Sequence, residues 1–182
     1  MFATQQGIVL LLASRMQRFN FLPMNSQFNY EQPWLAPSWC DLTQMILDSY
    51  EHWLEQPLMN RAADAQTEAM QIFHAPRVIL AHNNAEDPVF TYANQIALVL
   101  WETDLKSLLG MPSRHSAEPV YRSQRGEMLG KGLEKGFITN YEGIRISRQG
   151  RRFHIRHATI WNLHRDGRFC GQAATFDTWE HL

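Results

Sequence analysis

The sequence is poor in cysteine and in lysine, and each shortage excludes something. Two cysteines, Cys40 and Cys170, stand far apart in 182 residues and match no metal-ligand or redox spacing. A disulfide framework is not expected, and a reducing, cytoplasmic setting suits the composition. Lysine occurs only at Lys106, Lys131 and Lys135, and the formal net charge is −1. The whole-chain balance therefore gives no reason to expect nucleic acid or an anionic membrane as a partner. Long hydrophobic runs are missing too. The longest aliphatic stretch, Ile8 to Ala13, falls well short of the ~18 residues of a spanning helix. Met1 to Gly7 carry no Lys or Arg, which argues against a signal peptide. No Gly-x-Ser-x-Gly nucleophile motif occurs.

What is present is a core. Hydrophobic residues make up 45% of the chain, enough for one domain plus extensions. Residues 1–37 read as a poorly ordered N-terminal extension, with Met24 an alternative start and Trp34, Leu35 and Trp39 able to pin its end to the domain. Residues 38–182 read as that domain. Leu42, Met45, Ile46, Tyr50 and Trp53 recur at helical spacing, Ser38 with Asp41 resembles a capping box, and Pro57 closes the segment. This predicts an amphipathic helix over about 41–55. A second helix is expected from Ala62 to Phe73. Short strands follow at Arg77 to His82 and Val89 to Tyr92. Asn94 is placed to cap a helix carrying Ile96, Val99, Leu100 and Trp101. A further turn of helix falls at Asp104 to Leu109. A longer helix is expected from about Pro119 to Lys135, with Gly136 as its stop. Gly126, Gly130 and Gly132 inside it read as close-packing or mobility points.

Period-2 patterning is clearest from Gly136 to Trp179. It predicts strands at Phe137 to Ser147, Arg151 to Leu163 and Arg168 to Trp179, with turns at Arg148-Gln149-Gly150 and Arg165-Asp166-Gly167. In the middle strand Phe153, Ile155, His157, Thr159, Trp161 and Leu163 share one parity. Arg152, His154, Arg156 and Asn162 share the other, as in a half-buried antiparallel strand. Gly171, Ala173 and Ala174 are small enough to admit a helix or a pocket.

This element order is that of a Per-Arnt-Sim (PAS) domain. The residues go further in Leu100-Trp101-Glu102, Pro112-Ser113-Arg114, Ser116-Ala117-Glu118-Pro119, Gly136-Phe137-Ile138 and Arg145-Ile146-Ser147. Gly150-Arg151-Arg152-Phe153, Trp161-Asn162-Leu163 and Gly171-Gln172-Ala173-Ala174-Thr175-Phe176 complete the set. With these the chain resembles the MEKHLA family, a PAS-like domain of bacterial stand-alone proteins and of the C-terminus of plant homeodomain-zipper regulators. The likeness runs from about Leu42 to the end and is densest after Trp101. It implies an α+β fold: a five-stranded antiparallel sheet with helices on one face, preceded by an N-terminal amphipathic helix pair. It also implies a sensory or protein-interaction module with room for a small ligand, and not an enzyme. No homeodomain or zipper is present, so the DNA-binding half of the plant proteins does not carry over. Output then falls to a homodimer or to a regulatory protein.

A ligand pocket between sheet and helices would draw on Trp101, Tyr141, His157, Trp161, Gly171 and Ala173, although the same aromatics serve equally as plain core. Covalent flavin is disfavoured because no cysteine lies between Cys40 and Cys170. Haem is disfavoured because the helix 119–135 has no axial histidine. A metal site is not expected, since His154 and His157, three apart on one strand, point to opposite faces. Two alternatives stay open. One is an enzyme of a cone-shaped α+β fold that pairs His157 with Asp177 or Glu118. The other is an anion or nucleic-acid surface on Arg145, Arg148, Arg151, Arg152, Arg156, Arg165 and Arg168, set against pairing of these arginines with acids such as Glu127 and Glu134. Strand order separates the folds: a PAS-like sheet places its first strand centrally, beside the last.

Overall fold

The computed structural model describes residues 28–117 and 134–182. Its first long element is helix α1, Pro37–Leu54. The helix begins before the expected position because Pro37 sits in the first turn, where its missing N–H is no loss. Ala36 is the N-cap and makes no side-chain bond, so Ser38 and Asp41 lie inside the helix and form no capping box. Glu55 ends α1 in a left-handed conformation (φ 56°), two residues before Pro57. Helix α2, Ala65–Phe73, starts late for a local reason: the Asp64 carboxylate accepts from Thr67 N at 2.8 Å and from Thr67 Oγ1 at 2.7 Å. Trp34, in a 3-10 turn ahead of α1, packs on Phe73 with ring centres 5.4 Å apart.

The strands are β1 (Val78–Asn83), β2 (Phe90–Ala93), β3 (Phe137–Ile146), β4 (Arg152–Arg165), β5 (Arg168–Phe176) and β6 (Thr178–His181). They pair antiparallel in the order β2-β1-β5-β4-β3, and β6 runs along β4 beyond the end of β5. One strand was expected from Arg168 to Trp179; a break at Asp177 divides it. The first strand lies centrally beside β5, as a PAS-like sheet requires and a cone-shaped fold does not. Helices α3 (Gln95–Trp101) and α4 (Leu105–Leu108) follow β2. The expected cap of α3 is present: Asn94 Oδ1 accepts from Ala97 N. At the last hairpin Asp166 and Gly167 take φ of 50° and 71°, the paired positive angles of a type I′ turn. The helix expected over Pro119 to Lys135, with its three glycines, lies almost wholly outside the described residues.

Two bulges decide what faces what. Asn140 in β3 and His157 in β4 both adopt left-handed backbone, φ 53° and 52°. The β3–β4 register shifts around each of them. An extra residue inverts the side-chain alternation beyond it. Phe153 and Ile155 before the bulge therefore share a face with Ala158 and Ile160 after it. Trp161 and Leu163, expected beside Phe153, turn to the opposite face. There α1 covers them: the Trp161 indole donates to Ile46 O at 3.3 Å and meets Tyr50 edge-on at 5.0 Å. His164 N donates to Ser49 Oγ, and Arg165 Nη2 to Asp41 O. Trp101, closing α3, packs on the first face against Phe153 and Phe176. The sheet is thus lined on both sides, by α1 on one and by Trp101 at the end of α3 on the other.

Candidate ligand cavity

The face turned toward α3 holds a cavity of about 50 Å³. Phe90, Ile155, Ala158, Ile160 and Phe176 give it apolar walls, and Trp101 borders it. Its polar edge comes from His82, Ser116, Tyr141, Arg145 and Gln172. Tyr141 and Arg145 reach the same face because β3 alternates regularly after its bulge. Gly143 stands between them. A Cβ at Gly143 would fall 2.9 Å from both Arg145 Nη1 and Tyr141 Oη, so the missing side chain leaves room for the guanidinium to fold back. Arg145 Nη2 donates to Tyr141 Oη at 2.7 Å, and Nη1 donates to Ile144 O at 2.8 Å. The guanidinium carbon lies 5.4 Å from the Tyr141 ring centre. Arg145 is only 6% exposed, and no carboxylate pairs with it among the described residues. The buried Trp101 Nε1 also lacks an acceptor among the described residues.

Of the residues expected to line a pocket, Trp101, Tyr141 and Ala173 border this cavity. Trp161 does not, since the His157 bulge turns it onto α1. His157 is itself exposed, at the apex of that bulge. Gly171 is small for another reason: with φ 146°, its Cβ would fall 2.0 Å from His82 O, where the β1 backbone passes. Sequence reasoning missed Arg145 by grouping it with surface arginines. A signal was available, because Arg145 repeats the parity of Tyr141 across a glycine. His82, Ser116 and Gln172 carried no local signal; long-range pairing brings them in.

The other arginines disperse. Arg151 pairs with Glu102, Arg156 Nη2 lies 2.9 Å from Glu180 Oε2, and Arg148 Nη1 faces Met111 Sδ. Arg151, with the Ser147 hydroxyl, holds the Glu102 carboxyl below its ordinary range. The acid Glu127 lies outside the described residues, as does Glu118. Asp177 sits 3.6 Å from Arg77, and His157 does not border the cavity. Among the described residues no three His, Cys, Asp or Glu side chains converge as metal ligands, and no helix is long and apolar enough to cross a membrane. A second hollow, of about 240 Å³, runs between α3 and β6 along Ile96, Val99, Leu100 and Trp179, with the Glu102–Arg151 pair on its border. Val99 there is 71% exposed.

The fold invites a test for flavin and haem. A cavity of about 50 Å³ is far below the ~300–1,000 Å³ of sites that enclose larger ligands. Neither cysteine borders it: Cys40 Sγ contacts Trp34 O and Cys170 Sγ contacts Arg168 O. Among the described residues, a cavity of this volume does not fit either group.

A model of the MEKHLA domain matches residues 40–181. The homeobox-leucine zipper protein HOX9 of Oryza sativa subsp. indica is 26% identical over 157 residues, covering 84% of this chain and 19% of that protein. ATHB-15 of Arabidopsis thaliana is 24% identical over 141 residues, covering 77% of this chain and 17% of that one. The chain thus spans about a fifth of these relatives. Among solved structures, the PAS domain of a Colwellia psychrerythraea protein aligns with TM-score 0.54 at 12% identity, covering 62% of this chain and 95% of that one. An RNA-binding light-oxygen-voltage receptor aligns at 0.52 and 18%, covering 69% and 34%. These likenesses concern the fold.

Proposed function

The chain belongs to the MEKHLA domain family, and from that premise we propose that it is a PAS-like sensory module that binds a small molecule against its sheet and answers through protein contact. The observation that carries this reading is the buried polar cluster of Tyr141 and Arg145 on an apolar sheet face. A core built only for stability gains little from a buried guanidinium without a carboxylate. Such a group gains its partner when a ligand arrives. Binding without catalysis is supported by the lining, which offers hydrogen-bond donors and, among the described residues, no carboxylate, while the ring of its histidine, His82, is engaged through Nδ1 with Asn83 O at 2.8 Å. The apolar group of Ile96, Val99, Leu100 and Trp179 along the α3–β6 hollow favours output through a second protein surface.

The test is a thermal-shift screen of the full chain against small metabolites of several charge classes. A ligand that binds the folded state alone raises Tm with its concentration. A concentration-dependent rise for at least one class is expected. No rise for any class would remove the sensory reading.

A further inference from the structure

The nature of the ligand follows from the donors left over around Arg145, and it rests on the ligand-binding reading above. A guanidinium carries five N–H donors in a planar fork and keeps its charge at any physiological pH. The hydrogen bonds of Arg145 go to Ile144 O and Tyr141 Oη, which leaves donors over. Tyr141 accepts from Arg145, and its own O–H has no acceptor among the described residues. Trp101, which borders the same cavity, adds a buried N–H without an acceptor among the described residues. Three side chains bordering the cavity thus have hydrogens to give and, among the described residues, no anion to receive them.

The remaining wall is apolar: Ile155, Ala158, Ile160 and Phe176. One charged corner beside an apolar wall fits a molecule with one charged end and a short hydrocarbon remainder. The volume of about 50 Å³ is a few times the ~10–15 Å³ that one water needs on the same measure, so the remainder is short. We propose that the cavity binds a short-chain organic carboxylate, held by the Arg145 fork with Tyr141 Oη as a second donor. Carboxylate matches the planar fork through two parallel N–H···O bonds. Gly143 is part of the device, because a side chain there would displace the guanidinium from Tyr141.

Titration calorimetry on the full chain with propionate, propionamide and inorganic phosphate provides the test. Propionate is expected to bind, with propionamide at least about tenfold weaker, since the neutral amide forgoes the charge-assisted bonds. Arg145→Gln should raise the propionate Kd at least about tenfold, and Tyr141→Phe by a smaller factor of about three to ten. Amide shifts of the wild-type protein on adding propionate should appear at Tyr141, Arg145 and the Trp101 indole. That readout needs no variant and so survives a misfolded Arg145→Gln. Equal binding of propionate and propionamide overturns the proposal, as do tighter binding of phosphate or shifts confined to other faces. If neutral molecules in the thermal-shift screen raise Tm and carboxylates do not, the carboxylate inference falls while the sensory reading stands. If nothing raises Tm, both fall.

Discussion

The indole of Trp53 lies so close to Gly136 that a Cβ on the glycine would sit 2.3 Å from Cε3. The contact joins α1 to the start of β3, and two hydrogen bonds hold it. Trp53 Nε1 donates to Asn162 O at 2.9 Å, and Asn162 N donates to Gly136 O at 2.9 Å. Gly136 also takes φ 85°, a left-handed angle that penalises any side chain. Gly136→Ala should therefore destabilise the fold by about 2–4 kcal/mol, adding backbone strain to overpacking. Gly150→Ala is the control. Its φ is 81°, with nothing within 4 Å of the added Cβ, so it carries the strain alone, about 1–2 kcal/mol. Urea unfolding midpoints compare the two. Equal losses would show that the indole yields without cost.

Much of this fold was legible because local chemistry and global topology agree. Asn94 caps α3, Asp-Gly turns the last hairpin, and the order of elements gave the PAS-like sheet before any register was known. The cavity was legible only in part, and the reason is His157. Period-2 reasoning assumes an unbroken ladder. Histidine enters left-handed backbone more often than most residues, yet most strand histidines stay extended, so nothing local marked His157 as the bulge. One extra residue in β4 moved Trp161 from the cavity to α1 and left Ile160 and Ala158 in its place. Asn140, the counterpart in β3, was the more readable of the two, because asparagine tolerates that angle. Arg145 escaped for a different reason. Burial of a charge depends on what long-range pairing lays over it, and composition alone places arginine at the surface.

Glu68 predicts how the fold responds to acid. It is buried, and its carboxylate accepts from Gln44 Nε2 at 2.7 Å, Arg61 Nε at 2.8 Å and Ala62 N at 2.8 Å. Burial alone would push its pKa up; Arg61, Gln44 and the Ala62 amide outweigh that and hold it below the ordinary 4.5. A folded-state pKa below the unfolded one adds stability that is present above about pH 4.5 and is lost as pH falls through the folded value. Glu68→Gln keeps the shape and removes the charge. It should cost about 2 kcal/mol at pH 7, with the gap to wild type closing below pH 4. Thermal melts across pH 3–7 measure this. A gap independent of pH would assign the loss to packing and not to the Arg61 network.

Asn94 makes a sharper demand, because it needs both halves of its amide. The residue is fully buried. Its Oδ1 accepts from Ile79 N at 2.9 Å and Ala97 N at 3.3 Å, which ties β1 to the first turn of α3. Its Nδ2 donates to Arg77 O at 2.7 Å, with Ile72 O and Ala75 O each at 3.4 Å. Aspartate is as good a helix cap as asparagine on an exposed helix, so capping alone predicts that Asn94→Asp is neutral. The carbonyls around Nδ2 predict the opposite. A carboxylate oxygen would face three acceptors without water, and Asn94→Asp should cost about 3 kcal/mol at pH 7. Burial and those carbonyls raise the pKa of the new acid, since its protonated form can donate to Arg77 O. Its folded value then exceeds the unfolded one, so stability relative to wild type is recovered at low pH and lost as pH rises. Asn94→Ala removes the acceptor as well and should lose about 2–4 kcal/mol at every pH. Chemical denaturation of both variants at pH 5 and pH 7 separates the cases. An Asn94→Asp variant matching wild type at pH 7 would mean that Nδ2 contributes nothing.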